Sequence, residues 1–279
     1  MSFLVAESWR KWLDGDVPAK KLNQFRMVFA LVWLSYDVCD ILFDGTLTCR
    51  NLLQRLDPVA SPARPLQCIL IACELGMLSG RFPAVFCLAA AVLRFYQTTT
   101  YFWLNDFFYY GLTALLMAIA YFEGDRFSRS PTLVKGWIID VMRVQLGFTY
   151  VATAVMKMNP SWLSGSHLHV RVAYLQKAFD WPYPDFFLRC MDNKPCASAH
   201  AWTAVILELL LGFAVARGQY PRLSLAMAVA IHGFAVFTTN VWFFGASIVA
   251  HVALLAGREA PIQQALACNR ASLTPTPSR

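Results

Sequence analysis

Eight apolar windows recur along the chain, at Phe25–Phe43, Leu66–Leu78, Pro83–Tyr101, Phe107–Phe122, Trp137–Met156, Ala199–Ala216, Leu223–Phe237 and Val241–Leu255. A straight membrane span wants roughly 20 apolar residues, so the shorter windows are expected to tilt, to continue into polar turns, or to be partly re-entrant. Hydrophobic residues make up 57% of the chain and charged residues 15%, with a mean hydropathy of +0.45. That balance fits a multi-spanning membrane protein rather than a water-soluble globule. The expectation is an all-α, polytopic helical bundle of eight membrane segments.

Basic residues set the orientation. With the N-terminus inside, the inner segments collect about 14 lysines and arginines against about 8 outside, and most of the outer ones fall in or beside one long loop, which the positive-inside rule weighs lightly. An N-in, C-in layout follows. Some 25 mostly polar residues precede the first apolar run and no small-residue cleavage site closes it, so a retained first span is expected rather than a cleaved signal peptide. The formal charge of +7 would meet anionic headgroups of the lipid bilayer. No basic stripe with interleaved aromatics occurs, which argues against a nucleic-acid partner.

Three stretches are distinguished: an amphipathic cytoplasmic segment at 1–23, one transmembrane bundle at 24–256, and a tail at 257–279 whose Thr274-Pro275-Thr276-Pro277 ending reads as disordered. Outer loops are placed at Asp44–Arg64 and Met158–Ser198. Eight cysteines are scattered without a Cys-x-x-Cys pair or a histidine at ligand spacing, so no metal site is expected. Cys39, Cys68, Cys73 and Cys87 read as small buried apolar residues. Cys190 and Cys196 share the long outer loop and can bridge if that side is oxidising; the pairing stays open, because spacing cannot fix connectivity.

Ionisable residues inside the apolar windows are costly and must face a bundle interior or a wet cavity. Arg94 has Glu74 and Asp37 as natural partners, and Asp140 and Arg143 sit at i, i+3. Glu208 reads as a helix-to-helix hydrogen bond as easily as a proton carrier, and His232 poses the same choice with a histidine satisfied by a neighbouring helix as the default. Arg143, Tyr150 and Lys157 recur every seven residues, nearly two full turns, so they share one helix stripe. Lys157 lies near a helix end, where lysines commonly snorkel to the interface, with Trp162 as an interfacial anchor. The competing reading is a lysine held neutral by burial and available as a base. A second polar cluster, Tyr96–Leu112, contains Trp103, Asn105 and Asp106 and is expected on the same outer side.

The segment Gln145–Gly165, with Tyr150, Lys157, Trp162 and Gly165 in register, resembles the lysine motif of the vitamin K-dependent gamma-carboxylase superfamily, the horizontally transferred transmembrane domain proteins. Trp103–Leu112 is similar to that family's Trp-Asn-Asn-His segment, and His232 before Val241-Trp242-Phe243-Phe244 resembles its Phe-His segment. The compact size resembles bacterial members of the sporulation-delaying protein B type, set in the inner membrane. The resemblance implies that Lys157 is the base that deprotonates a reduced naphthoquinone. With O2 this yields a strong base that removes an unactivated carbon-bound proton, and CO2 can then add. It further implies that Asn105 holds a quinone oxygen, with Trp103, Tyr150, Arg143 and His232 as cavity wall. Asp106 stands where the carboxylases carry histidine, and a carboxylate beside Lys157 favours its charged form.

The expected function is therefore a quinol- and O2-dependent membrane enzyme with its site near the extracytoplasmic face. The alternative is a non-enzymatic component that binds or escorts a secreted peptide. A transporter reading draws only on the buried charges, and no inverted repeat supports it.

Overall fold

The computed structural model describes residues 15–42, 64–100, 105–123, 132–179, 182–218, 220–239, 248–249, 251–253 and 255. These are mostly helical. The chain divides into two compact units, one made of Met1–Asp44, Gln54–Met142 and Arg258–Arg279, the other of Gly45–Leu53 and Arg143–Gly257.

In the first unit, β1 (Asp16–Pro18) leads into α1 (Lys20–Leu42), followed by α2 (Arg64–Ser79), α3 (Pro83–Thr100), α4 (Asn105–Glu123) and β2 (Leu133–Lys135). β1 and β2 pair antiparallel, Asp16 opposite Lys135, and those two side chains also form an ion pair at 3.0 Å. This small strand pair had no counterpart in the sequence reading. Its three-residue strands are too short to display an alternating pattern, and it fastens the entry of α1 to Thr132 through the Ala19 N–H. The segment expected as 1–23 thus enters β1 and the first turn of α1, while residues 1–14 lie outside the described residues.

Aromatic rings fill the middle of this unit: Phe25, Phe29 and Trp33 of α1 pack in sequence, and Tyr110 of α4 meets Phe29 and Trp33 at 4.7 and 4.8 Å between ring centroids. Beside them lies a buried charge cluster. Arg94 of α3 pairs with Asp37 of α1 and with Glu74 of α2 at 3.1 Å, and donates to Gln97 at 2.9 Å. Its guanidinium also faces the rings of Tyr110 and Trp33 at 4.5 and 5.1 Å. Both carboxylates named from sequence as partners of Arg94 are therefore engaged, and a charge costly alone becomes tolerable in their company.

The second unit holds most of α5 (Gly136–Lys157), then α6 (Pro160–Leu163), α7 (Ser166–Phe179), α8 (Asp185–Asp192), α9 (Lys194–Arg217) and α10 (Pro221–Thr239). α5 and α9 are long and apolar enough to cross a membrane. They cross at glycine: a Cβ on Gly147 would stand 2.6 Å from the Gly212 carbonyl oxygen, and one on Gly212 2.8 Å from that of Gly147. Small residues at such a crossing let two backbones touch.

The stretch Met158–Ser198, expected as a loop, is instead largely helical. Leu168, Val172 and Leu175 recur at helical spacing on α7 and join Tyr183, Phe187, Met191, Ala197 and Ala201 in one buried cluster. Its turns are specified locally. Asn159 caps α6 by accepting from the Trp162 N–H at 3.0 Å, and Asn193 caps α9 by accepting from the Cys196 N–H. Gly165 takes φ +77° where a Cβ would meet Ala197 at 2.5 Å, so neither its backbone conformation nor its space admits another residue. Cys190 and Cys196 form a disulfide joining α8 to α9. The last apolar window is helical at 248–249, 251–253 and 255, and the tail at 257–279 lies outside the described residues.

Candidate functional site

The glycine crossing decides which side chains meet. α9 brings Glu208 one turn before Gly212, and α5 ends at Lys157, whose long side chain leans back along its own helix. The two meet as an ion pair, Lys157 Nζ to Glu208 Oε1. The Lys157 side chain is 26% exposed and that of Glu208 7%, so the pair sits at a cavity edge with its carboxylate inside.

One turn beyond the end of α5, the Asn159 cap and Pro160 set α6 so that the Trp162 ring faces the ammonium, 5.1 Å from Nζ to its centroid. Trp162 also packs against His167 at 5.0 Å between rings. Below Lys157, the Tyr150 hydroxyl and His232 Nε2 of α10 share a hydrogen bond of 2.9 Å. Either atom is the donor, according to the histidine tautomer.

These groups border one cavity of about 340 Å³, closed by Leu168, Ala204, Ile231, Phe234, Ala235 and Ile248 and edged by Arg171. Thr149 and Thr153 also face it, but their hydroxyls donate back to the Gln145, Thr149 and Tyr150 carbonyls of their own helix. Among the residues that line the cavity, two buried polar atoms find no partner among the described residues: Glu208 Oε2, an acceptor, and Trp162 Nε1, a donor. Buried polar atoms are rarely left so, and both belong to residues lining the cavity. The site is thus an apolar pocket with one orphan acceptor, one orphan donor, an amine–carboxyl pair able to pass a proton, and a phenol–imidazole pair. Its volume lies in the range of small-ligand pockets.

Of the residues singled out from sequence, Lys157, Tyr150 and His232 come together here. Arg143 is not among the lining residues; its Nε donates to the Leu255 carbonyl at 2.8 Å, so its stripe position holds the last of the described residues. Asn105 and Asp106 open α4 in the first unit, and Trp103 lies outside the described residues. Glu208 had been recognised as a buried carboxylate but not as the partner of Lys157, since 51 residues separate them. Trp162 had been read as an interfacial anchor, and His167 and Arg171 were not singled out. The apolar period of Leu168, Val172 and Leu175 was the available signal that these residues ride on a helix.

No protein-family model, no curated protein and no solved structure matches the chain.

Proposed function

We propose that this chain is a membrane-embedded enzyme in which Lys157 acts as a base on a reduced naphthoquinone, in the manner of the vitamin K-dependent gamma-carboxylase superfamily that its lysine motif resembles. The observation that carries the proposal is the Lys157–Glu208 pair at the edge of an apolar cavity whose second carboxylate oxygen has no partner among the described residues. Membrane embedding draws support from the two long apolar helices, which turn apolar side chains outward, Phe148 and Val155 on α5 and Leu210 and Phe213 on α9, while keeping Tyr150 and Glu208 inside. That is the reverse of a soluble helix. The full polytopic arrangement, with the cavity opening to the extracytoplasmic side of a bacterial inner membrane, belongs to the same proposal.

A planar aromatic diol fits the cavity chemically: apolar walls for its rings, Glu208 Oε2 to accept from one hydroxyl, and Trp162 Nε1 to donate to an oxygen. When bound, and with O2, the naphthoquinol supplies the driving force for removing a carbon-bound proton. The chain's own residues prepare that step. The proposal requires that Lys157 pass its ammonium proton to the Glu208 carboxylate, the more deeply buried member of the pair, and so present a free amine to the cavity. The amine then accepts the hydroxyl proton of the ligand. Trp162 covers Nζ and limits water, and the Tyr150–His232 pair supplies a polar wall that either tautomer can complete. Roles for Asn105, Asp106 and Trp103, and any use of CO2, rest on the resemblance alone.

The test is anaerobic incubation of purified protein with reduced naphthoquinone, a pulse of O2, and mass spectrometry of the quinone products. Quinone epoxide that depends on Lys157 and falls in Glu208→Gln supports the proposal. Turnover unchanged in Lys157→Ala refutes it.

The ion pair also favours a second reading. With the proton kept on Lys157 the amine is no base, and the cavity becomes a binding site in an escort for a secreted peptide. In that case no quinone product forms and Lys157→Ala leaves peptide capture intact.

A further inference from the structure

The Cys190–Cys196 bridge lies apart from the chemistry above, and its surroundings are not those of an inert staple. Cys196 occupies the third position of α9, a 24-residue helix whose N-cap is Asn193, so its sulfur sits in the positive field of a long helix N-terminus. One turn further on, His200 Nδ1 lies 3.5 Å from Cys190 Sγ and 4.0 Å from Cys196 Sγ. The same nitrogen is 2.9 Å from the Cys196 carbonyl, which holds the ring beside the bridge. Phe187 and Phe234 pack edge-on and face-on against the imidazole, fixing it further. Both cysteines are partly exposed. A structural bridge needs none of this; a reactive one needs access, a stabilised leaving thiolate and a proton-transfer group.

We propose that Cys190–Cys196 is a thiol–disulfide exchange site that oxidises dithiols. A thiolate of the incoming dithiol attacks Cys190 Sγ, forming a mixed disulfide and breaking the Cys190–Cys196 bond. Cys196 leaves as a thiolate at the α9 N-terminus and takes a proton with His200 as the exchanging group. The second thiol of the donor then attacks the mixed disulfide and releases Cys190. Two electrons and two protons pass from the dithiol, which leaves as a disulfide, to the cysteine pair, so the step balances with no further reactant. The partner is a protein or peptide carrying two neighbouring thiols, and Phe234 connects this site to the cavity wall.

The experiment uses the full, folded chain in detergent with its other thiols first blocked by N-ethylmaleimide. Dithiothreitol is added, the reaction is quenched in acid, and newly exposed Cys190 and Cys196 are labelled and quantified by mass spectrometry against oxidised dithiothreitol. The bridge is expected to open in the folded protein with one oxidised dithiothreitol formed per bridge. His200→Ala is expected to slow opening by about 100-fold, the lower end of what a positioned proton-transfer group contributes. His200→Asn, which keeps a donor for the Cys196 carbonyl, separates proton transfer from structure and should be as slow as His200→Ala. A bridge that resists dithiothreitol until the protein unfolds, or a His200→Asn variant that opens at the wild-type rate, overturns the proposal.

Discussion

Two glycine-to-alanine changes on neighbouring helices should move stability in opposite directions. At Gly147 the added Cβ would stand 2.6 Å from the Gly212 oxygen, 2.7 Å from the Ala216 Cβ and 3.0 Å from the Ala216 nitrogen. Non-bonded carbon contacts settle near roughly 3.5 Å, so α5 and α9 must part by close to 0.8 Å. Two of these obstacles are backbone atoms and cannot swing aside as the tip of a side chain would. Overpacking costs about 1–3 kcal/mol and this case belongs at the upper end. Removing glycine from a helix returns about 1 kcal/mol, leaving a net loss of about 2 kcal/mol. At Gly233 on α10 nothing among the described residues lies within 4 Å of the added Cβ, so only the gain of up to about 1 kcal/mol remains. The gap between the variants is then about 3 kcal/mol, or roughly 6–12 °C in Tm. Thermal melting of both in one detergent measures it. Equal shifts, or a Gly147→Ala variant as stable as wild type, would refute the view that direct backbone contact holds α5 on α9.

Other consequences can be checked in the same preparation. Gly165→Ala meets both a positive φ and a Cβ contact of 2.5 Å with Ala197, so it should lose more stability than Gly147→Ala, with the loss read by the same melt. Glu74→Gln leaves Arg94 still paired with Asp37, whereas Arg94→Met removes the counter-charge of both Asp37 and Glu74; chemical denaturation should find Arg94→Met the worse of the two by about 2 kcal/mol or more. Burial pushes the Tyr183 phenol, in the segment between α7 and α8, up to about 12. The native state therefore keeps a proton that the unfolded chain gives up near 10, and this contribution is complete below pH 10 and is lost as pH rises toward 12. Tyr183→Phe should flatten that part of the stability profile, and an unchanged slope would show that the phenol plays no part.

The helices were legible because apolar windows announce themselves. The window Trp137–Met156 became Gly136–Lys157 and Pro83–Tyr101 became Pro83–Thr100, each within a residue or two. The Met158–Ser198 region reads as a loop because its helices are amphipathic and carry charge on their outer faces, which lowers mean hydropathy while leaving the three-and-four spacing intact. Lys157, Tyr150 and His232 stood out as polar groups in apolar runs. Their geometry did not, because it depends on Gly147 and Gly212, and a glycine in one helix says nothing about closeness until the facing helix is known. Glu208 shows the same limit: its cost was visible in Leu207-Glu208-Leu209, its partner only in three dimensions. Arg143 obeys the seven-residue rule that selects Lys157 and still donates to a backbone carbonyl 112 residues away in sequence instead.

The Arg94 cluster sets a timetable for synthesis. Asp37 is made 57 residues before the arginine that pairs with it, and Glu74 20 residues before. At translation rates of about 5–20 residues per second, the first carboxylate waits roughly 3–11 s for its counter-charge. If α1 entered lipid alone during that interval, it would carry Asp37 unpaired. On the membrane reading, α1, α2 and α3 should therefore leave the insertion machinery as a group, and a ribosome stalled before Arg94 should hold α1 in an extractable, unreleased state.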